Sequence, residues 1–103
     1  MELKMIAWSS EEAPNEEEIR LQLAEEQLKV YNWFNDPDDV QAGHTHGYHK
    51  ILYVIEGSIN FDFPTRHKSF ALKAGDRLEL PAGIRHSATI GPEGVTCLEA
   101  HVY

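Results

Sequence analysis

Three of the six histidines fall within seven residues, at positions 44, 46 and 49. His44 and His46 are two apart, and on a β-strand that spacing turns both imidazoles to one face. Two imidazoles a few ångströms apart can share a divalent transition metal such as zinc, iron, nickel or manganese. His49 is odd-numbered and points the other way on a regular strand. It becomes a candidate fourth ligand only if Gly47 and Tyr48 bulge. Lys50 follows directly, and an ammonium donates hydrogen bonds but ligates nothing. Further along, His86 opens a segment of alternating polarity, and Cys97, Glu99, His101 and Tyr103 share one face of the last strand. Glu99 is a carboxylate that another strand could bring to the histidines. Lys50 and Glu99 are the candidate catalytic acid and base groups.

The elements that must position these side chains are mostly strands. Residues 1–8 alternate loosely and read as a short strand, with residues 9–15 a polar connector around Pro14. Residues 16–28 form the one convincing helix. Asn15 can cap it with Glu18 three residues later, and Glu16, Glu17 and Glu18 fill the first turn, where the helix dipole favours anions. Leu21, Ala24 and Leu28 make an expected apolar stripe, which Ile19 and Leu23 widen. Beyond Lys29 come a β-branched and aromatic segment, 30–34, and a turn cluster around Pro37. Strands are expected at 50–55, 58–63, 67–72, 77–80, 86–90 and 95–103. Turn residues separate them at 56–57, 64–65, 74–76, 81–83 and 91–94. Closely spaced short strands with such breaks predict a mainly β antiparallel sandwich or barrel with one N-terminal α-helix.

The spacing of the histidines and glycines carries a resemblance. His44-x-His46 is followed by Lys50 and then by Gly57, and Gly75 is followed by Pro81, Gly83 and His86. Together these resemble the two motifs of the cupin superfamily, over about residues 40–90. The resemblance implies a jelly-roll β-barrel, with residues 40–103 as its core and residues 1–39 as an N-terminal strand and acidic helix arm packed on it, one domain overall. It also implies a cation or ligand bound inside near one mouth. Members with the full pattern bind metal through three histidines and a glutamate. Carried over residue by residue, that makes His44, His46 and His86 ligands, while the glutamate position falls on Lys50. The asparagine that closes the second motif falls on Ile90, and an early glycine of the first falls on Asp38. The relatives include dioxygenases, isomerases, epimerases and decarboxylases, so the resemblance selects no reaction, and whether the chain is an enzyme at all stays open.

Three readings of the site follow. His44, His46 and His86 hold a divalent transition metal whose open positions take water or a small substrate. Alternatively the metal is lost, and Lys50 with the histidines forms a cationic pocket for a small anion. In the third, the histidines are a hydrogen-bonded remnant. His67, between Arg66 and Lys68, reads as a surface turn residue, Cys97 as an inert buried thiol, Asp76 as a turn residue, and Tyr31, Trp33 and Tyr53 as core or interface aromatics.

Composition narrows the partners. The net charge is −8, and residues 1–39 carry all of it, with eleven acids against three bases, while residues 40–103 hold six of each. A phosphate backbone or an anionic membrane surface calls for clustered Lys and Arg, so nucleic acid and membrane partners are not expected. One cysteine excludes an internal disulfide, and no basic-then-apolar leader is evident, so a cytoplasmic protein is the expectation. The first strand has no evident partner within the motif core and Trp8 lies beside it, which predicts pairing with a second copy as a homodimer.

Overall fold

The computed structural model describes all residues, 1–103. Its elements are β1 (Lys4–Ile6), α1 (Glu16–Glu25), β2 (Val30–Asn35), β3 (Val40–His44), β4 (His49–Phe63), β5 (Lys68–Lys73), β6 (Arg77–Leu80) and β7 (His86–Val102), with a single 3₁₀ turn at Pro64–Arg66. All strand pairs are antiparallel, in the order β1-β6-β4-β7-β2, with β3 also on β7 and β5 also on β4. The mainly β barrel with one N-terminal helix is therefore as expected.

β4 and β7 are long because two expected breaks do not end strands. The ladder bulges around residues 56–57 and at 91–94, with Ile55 and Ser58 of β4 left without β7 partners where the register shifts between Val54 and Glu56 and between Gly57 and Ile59. On β7 the partner of the β4 residues jumps from Val95 to Ile90, so residues 91–94 sit opposite Ser58 alone. Each bulge changes which residues face inward. On β4 the core side chains are Leu52 and Val54 before the bulge and Ile59, Phe61 and Phe63 after it. On β7 they are Ala88 and Ile90, then Val95 and Cys97. The two bulges meet: a Cβ on Gly57, whose φ is 78°, would lie 1.9 Å from the Gly94 carbonyl oxygen. Only glycine allows that approach.

The other face of β4 and β7 packs against the helix. Ile51, Tyr53, Ile55 and Leu98 bury a second cluster with Ile19 and Leu23, and Leu28 packs against it. The buried face of α1 is therefore the Ile19–Leu23 side, and Leu21 and Ala24 of the expected stripe are exposed. Both sets obey helical spacing, and the position of the sheet selects between them. Asn15 caps the helix as expected, its side-chain oxygen accepting from the Glu18 N–H at 3.1 Å. The helix stops at Glu25, because Gln27 turns left-handed at φ 62° and the Gln27 and Leu28 N–H groups close back on Ala24 and Leu23.

An arginine clamps the helix to the sheet. Arg77 is buried on β6. It donates two bonds to the Glu26 carboxylate, one to Glu79 and one to the Tyr53 hydroxyl, all at 2.9 Å. Hydrogen bonding to Arg77 holds the Glu26 carboxyl below its ordinary value. The N-terminal arm is fixed beside it. β1 pairs with β6 of its own chain, Trp8 lies over Gly75, and the Asp76 carboxylate accepts from the Trp8 and Lys73 backbone N–H groups at 2.8 and 3.0 Å. This corrects the expectation that the first strand lacks an internal partner, and Asp76 is the turn residue expected.

Two outcomes follow from these contacts. Gly57→Ala should cost more than about 2 kcal/mol in urea unfolding, because it adds backbone overlap to left-handed strain. Gly83→Ala has nothing within 4 Å of the new Cβ and should cost only the strain, about 1 kcal/mol. The Glu26–Arg77 contribution is present above the ordinary carboxyl value of 4.5 and lost as pH falls through the lower folded value. Glu26→Gln should then destabilise by about 1–2 kcal/mol at pH 7, less at high salt, with the gap closing in acid.

Candidate metal and ligand site at the barrel mouth

The expectation that one strand carries both His44 and His46 needs correction. His44 is the last residue of β3, and His46 lies in the link to β4. The link folds back nonetheless, held by a bond from the Gly83 N–H to the His46 carbonyl at 2.9 Å. His86 opens β7 and pairs in register with His44. The three rings converge with centroids 4.4 to 5.0 Å apart, and one ligand nitrogen from each lies within 4.8 Å of the others.

Backbone carbonyls fix two of the three tautomers. His44 Nδ1 donates to the Ala42 carbonyl at 2.7 Å and His86 Nδ1 to the Ile84 carbonyl at 2.9 Å. A neutral imidazole that donates from Nδ1 offers its lone pair at Nε2. His86 Nε2 is buried without a hydrogen-bond partner, and a buried polar atom left alone calls for a ligand. Burial, foremost, holds His86 below its ordinary value, aided by His44 and Lys50 and opposed by the Ile84 carbonyl. Burial and then the Lys50 charge push His46 down to about 4. Both are therefore neutral at pH 7; the His86 lone pair is free, and that of His46 is taken up by Lys50. These atoms fit a divalent cation.

The rest of the mouth is a charged network across β4, β7 and β2. Lys50 Nζ donates to His46 Nε2 at 3.1 Å and lies 3.3 Å from the Glu99 carboxylate, with both side chains almost fully buried. Glu99 also accepts from the Trp33 indole N–H at 3.0 Å and contacts His101 Nε2 at 2.6 Å. Burial alone would raise its carboxyl. Lys50, His101 and Trp33 outweigh that and hold it below the ordinary value. Tyr48 stacks between His46 and His101, at 5.0 and 4.0 Å, with Tyr31 and Tyr103 beyond. Burial and then Glu99 raise the Tyr48 hydroxyl, so it stays protonated.

Lys50 and Glu99 thus both point into the mouth, paired with each other. His49 stays outside the cluster, its Nδ1 accepting from the Ala82 N–H at 2.9 Å. His67 is exposed in a left-handed turn, and Cys97 is buried in the core with its thiol pushed upward by burial. Tyr53 belongs to the helix-side core. Trp33 packs on the barrel core and also positions Glu99, a role not expected from its sequence. Tyr48 and Tyr103 had no motif to mark them, although Tyr103 shares the alternation of Cys97, Glu99 and His101.

An antiparallel barrel with a histidine cluster at one mouth defines a class, the double-stranded β-helix of the cupins. Solved structures agree. An RmlC-like cupin from Shewanella frigidimarina matches at TM-score 0.62 and 23% identity over 72% of this chain and 64% of that one. A DUF861 family protein from Thermotoga maritima matches at TM-score 0.61 and 18% identity over 95% and 97%. The polyketide cyclase RemF from Streptomyces resistomycificus matches at TM-score 0.64 and 22% identity over 74% and 55%. The chain spans less than two thirds of the Shewanella and Streptomyces proteins. No family profile and no curated protein matches it. The chain therefore has the cupin fold, as the two motifs led us to expect. No helix is long and apolar enough to cross a membrane.

Proposed function

We propose that the protein holds a divalent transition metal, of the zinc, iron, nickel and manganese group, through His44, His46 and His86, and acts as a metal-dependent enzyme on a small substrate. The observation that carries this reading is the buried, partnerless His86 Nε2 facing two further imidazoles. Three histidine ligands leave coordination positions for water or substrate, and the metal would supply a Lewis acid there. Lys50 and Glu99 are the candidate acid and base beside it. Glu99 is held as a carboxylate by Lys50, His101 and Trp33, and Tyr48 stacks against His46 and His101 at the mouth. That a polyketide cyclase shares the fold is consistent with small-molecule chemistry. A second reading, a metal-free pocket in which Lys50 and the histidines take a small anion, is favoured by the bond that Lys50 already makes to His46. We also place the protein in the cytoplasm, its single thiol, Cys97, being buried and free.

A homodimer belongs to the same proposal. Its support is at β2, which like β1 ends the strand order and which exposes Tyr31 and Phe34.

Elemental analysis of purified protein should find about one equivalent of transition metal per chain, lost in His86→Ala. Protein that is metal-free and takes up none on titration would sink the metal reading and leave the anion pocket. Light scattering at micromolar concentration should give the mass of two chains, and Phe34→Glu should shift it toward one. A single-chain mass for the wild-type protein excludes the dimer.

A further inference from the structure

We infer that the mouth is built for a cation together with a small carboxylate, and that Lys50 is the residue that recognises the carboxylate. The inference rests on the proposed metal reading and names the class of ligand for that site.

It follows from counting donors and acceptors. A neutral imidazole has one lone pair, whichever nitrogen carries the proton. At His46 that lone pair now accepts from Lys50 Nζ at 3.1 Å. A cation held by His46 must take the same lone pair, so the Lys50–His46 bond is given up on loading. The ammonium then has an N–H without an acceptor, in a place where its side chain is only 10% exposed. Leaving such a donor unmet is costly.

The protein has little more to offer it. Glu99 Oε1 lies 3.3 Å from Lys50 and already accepts from Trp33, and Oε2 is engaged by His101. A ligand oxygen is the acceptor that remains. The charges agree. Lys50 and Glu99 pair one to one, so a dication leaves the mouth positive beside an ammonium. An anion lying between the two relieves both. A carboxylate suits this geometry because its two oxygens can meet the cation and the ammonium at once. The lysine that stands at the family's glutamate position therefore acts as a specificity-determining residue, and a ligand carboxylate takes up the part that a protein carboxylate would play.

The test uses the full chain loaded with Co²⁺, whose visible absorption reports on its ligands. Co²⁺ uptake is measured first, by elemental analysis. Acetate is then titrated, with acetamide as the neutral control. Acetate should perturb the spectrum saturably and acetamide should not. In Lys50→Met, Co²⁺ uptake should be retained, while half-saturation by acetate moves up by about tenfold or more. Lys50→Arg, which keeps a cation at the position, should restore most of that loss and show that the fold is intact. Equal acetate binding in Lys50→Met and wild type, or no effect of acetate on the loaded wild-type spectrum, overturns the inference and leaves the metal reading standing. Failure of the wild-type chain to take up Co²⁺ overturns both, and is seen before any acetate is added.

Discussion

The antiparallel pairing of β4 with β7 is the constraint on which the rest of the molecule depends. These two long strands supply both layers of the core. Their inner faces fill the barrel, and their outer faces give α1 the apolar surface it covers. A regular pair of such length would keep one set of residues inside from end to end. The bulges at Gly57 and at residues 91–94 break that rule on both strands at the same level. They let each strand line the barrel with even-numbered residues along one stretch and odd-numbered residues along the other. The site inherits this geometry. Lys50 follows the inward set of Leu52 and Val54, and Glu99 and His101 follow that of Val95 and Cys97.

A buried ion pair in such a place is weak evidence for stability, since desolvation offsets much of its attraction. The Lys50–Glu99 pair is better understood through its surroundings. Glu99 is fixed by donors from β2, β4 and β7 at once, so its carboxylate is satisfied without reference to any ligand. Lys50 is not held in the same way. One of its contacts is to a histidine whose lone pair a cation would claim. The network is rigid on the acid side and exchangeable on the basic side, and exchangeability is what a binding site needs.

The clamp at Arg77 does separate work on the opposite face of the sheet. It ties α1 to β6 through Glu26 and holds Tyr53 by its hydroxyl, close to where Trp8 seats the N-terminal arm over Gly75. Most of the acidic excess lies in the arm and helix, where Glu26 takes a structural role by binding Arg77. The mouth itself is balanced, with one buried lysine against one buried glutamate. The global charge and the local chemistry are therefore independent, and only the second bears on what binds.

Much of this was legible in the chain before folding. Alternation at 58–63 marks an inward set of Ile59, Phe61 and Phe63, and the histidine spacings mark the cluster and the resemblance to the cupin motifs. Asn15 marks the helix start. Other features could not be read, for identifiable reasons. A glycine with positive φ serves a bulge as well as a loop, so residues 56–57 and 91–94 looked like strand ends. Two faces of α1 satisfy helical periodicity, and only the sheet selects Ile19 and Leu23. The sequence by itself determined the class of fold and the histidines that meet, because short-range periodicity and spacing encode which residues face inward. Only the tertiary structure decided that Glu99 neutralises Lys50, that Lys50 occupies the lone pair of His46, and that His49 stays out. Those facts depend on strand register between residues far apart in the chain, and register is set by packing of the whole barrel rather than by any local pattern.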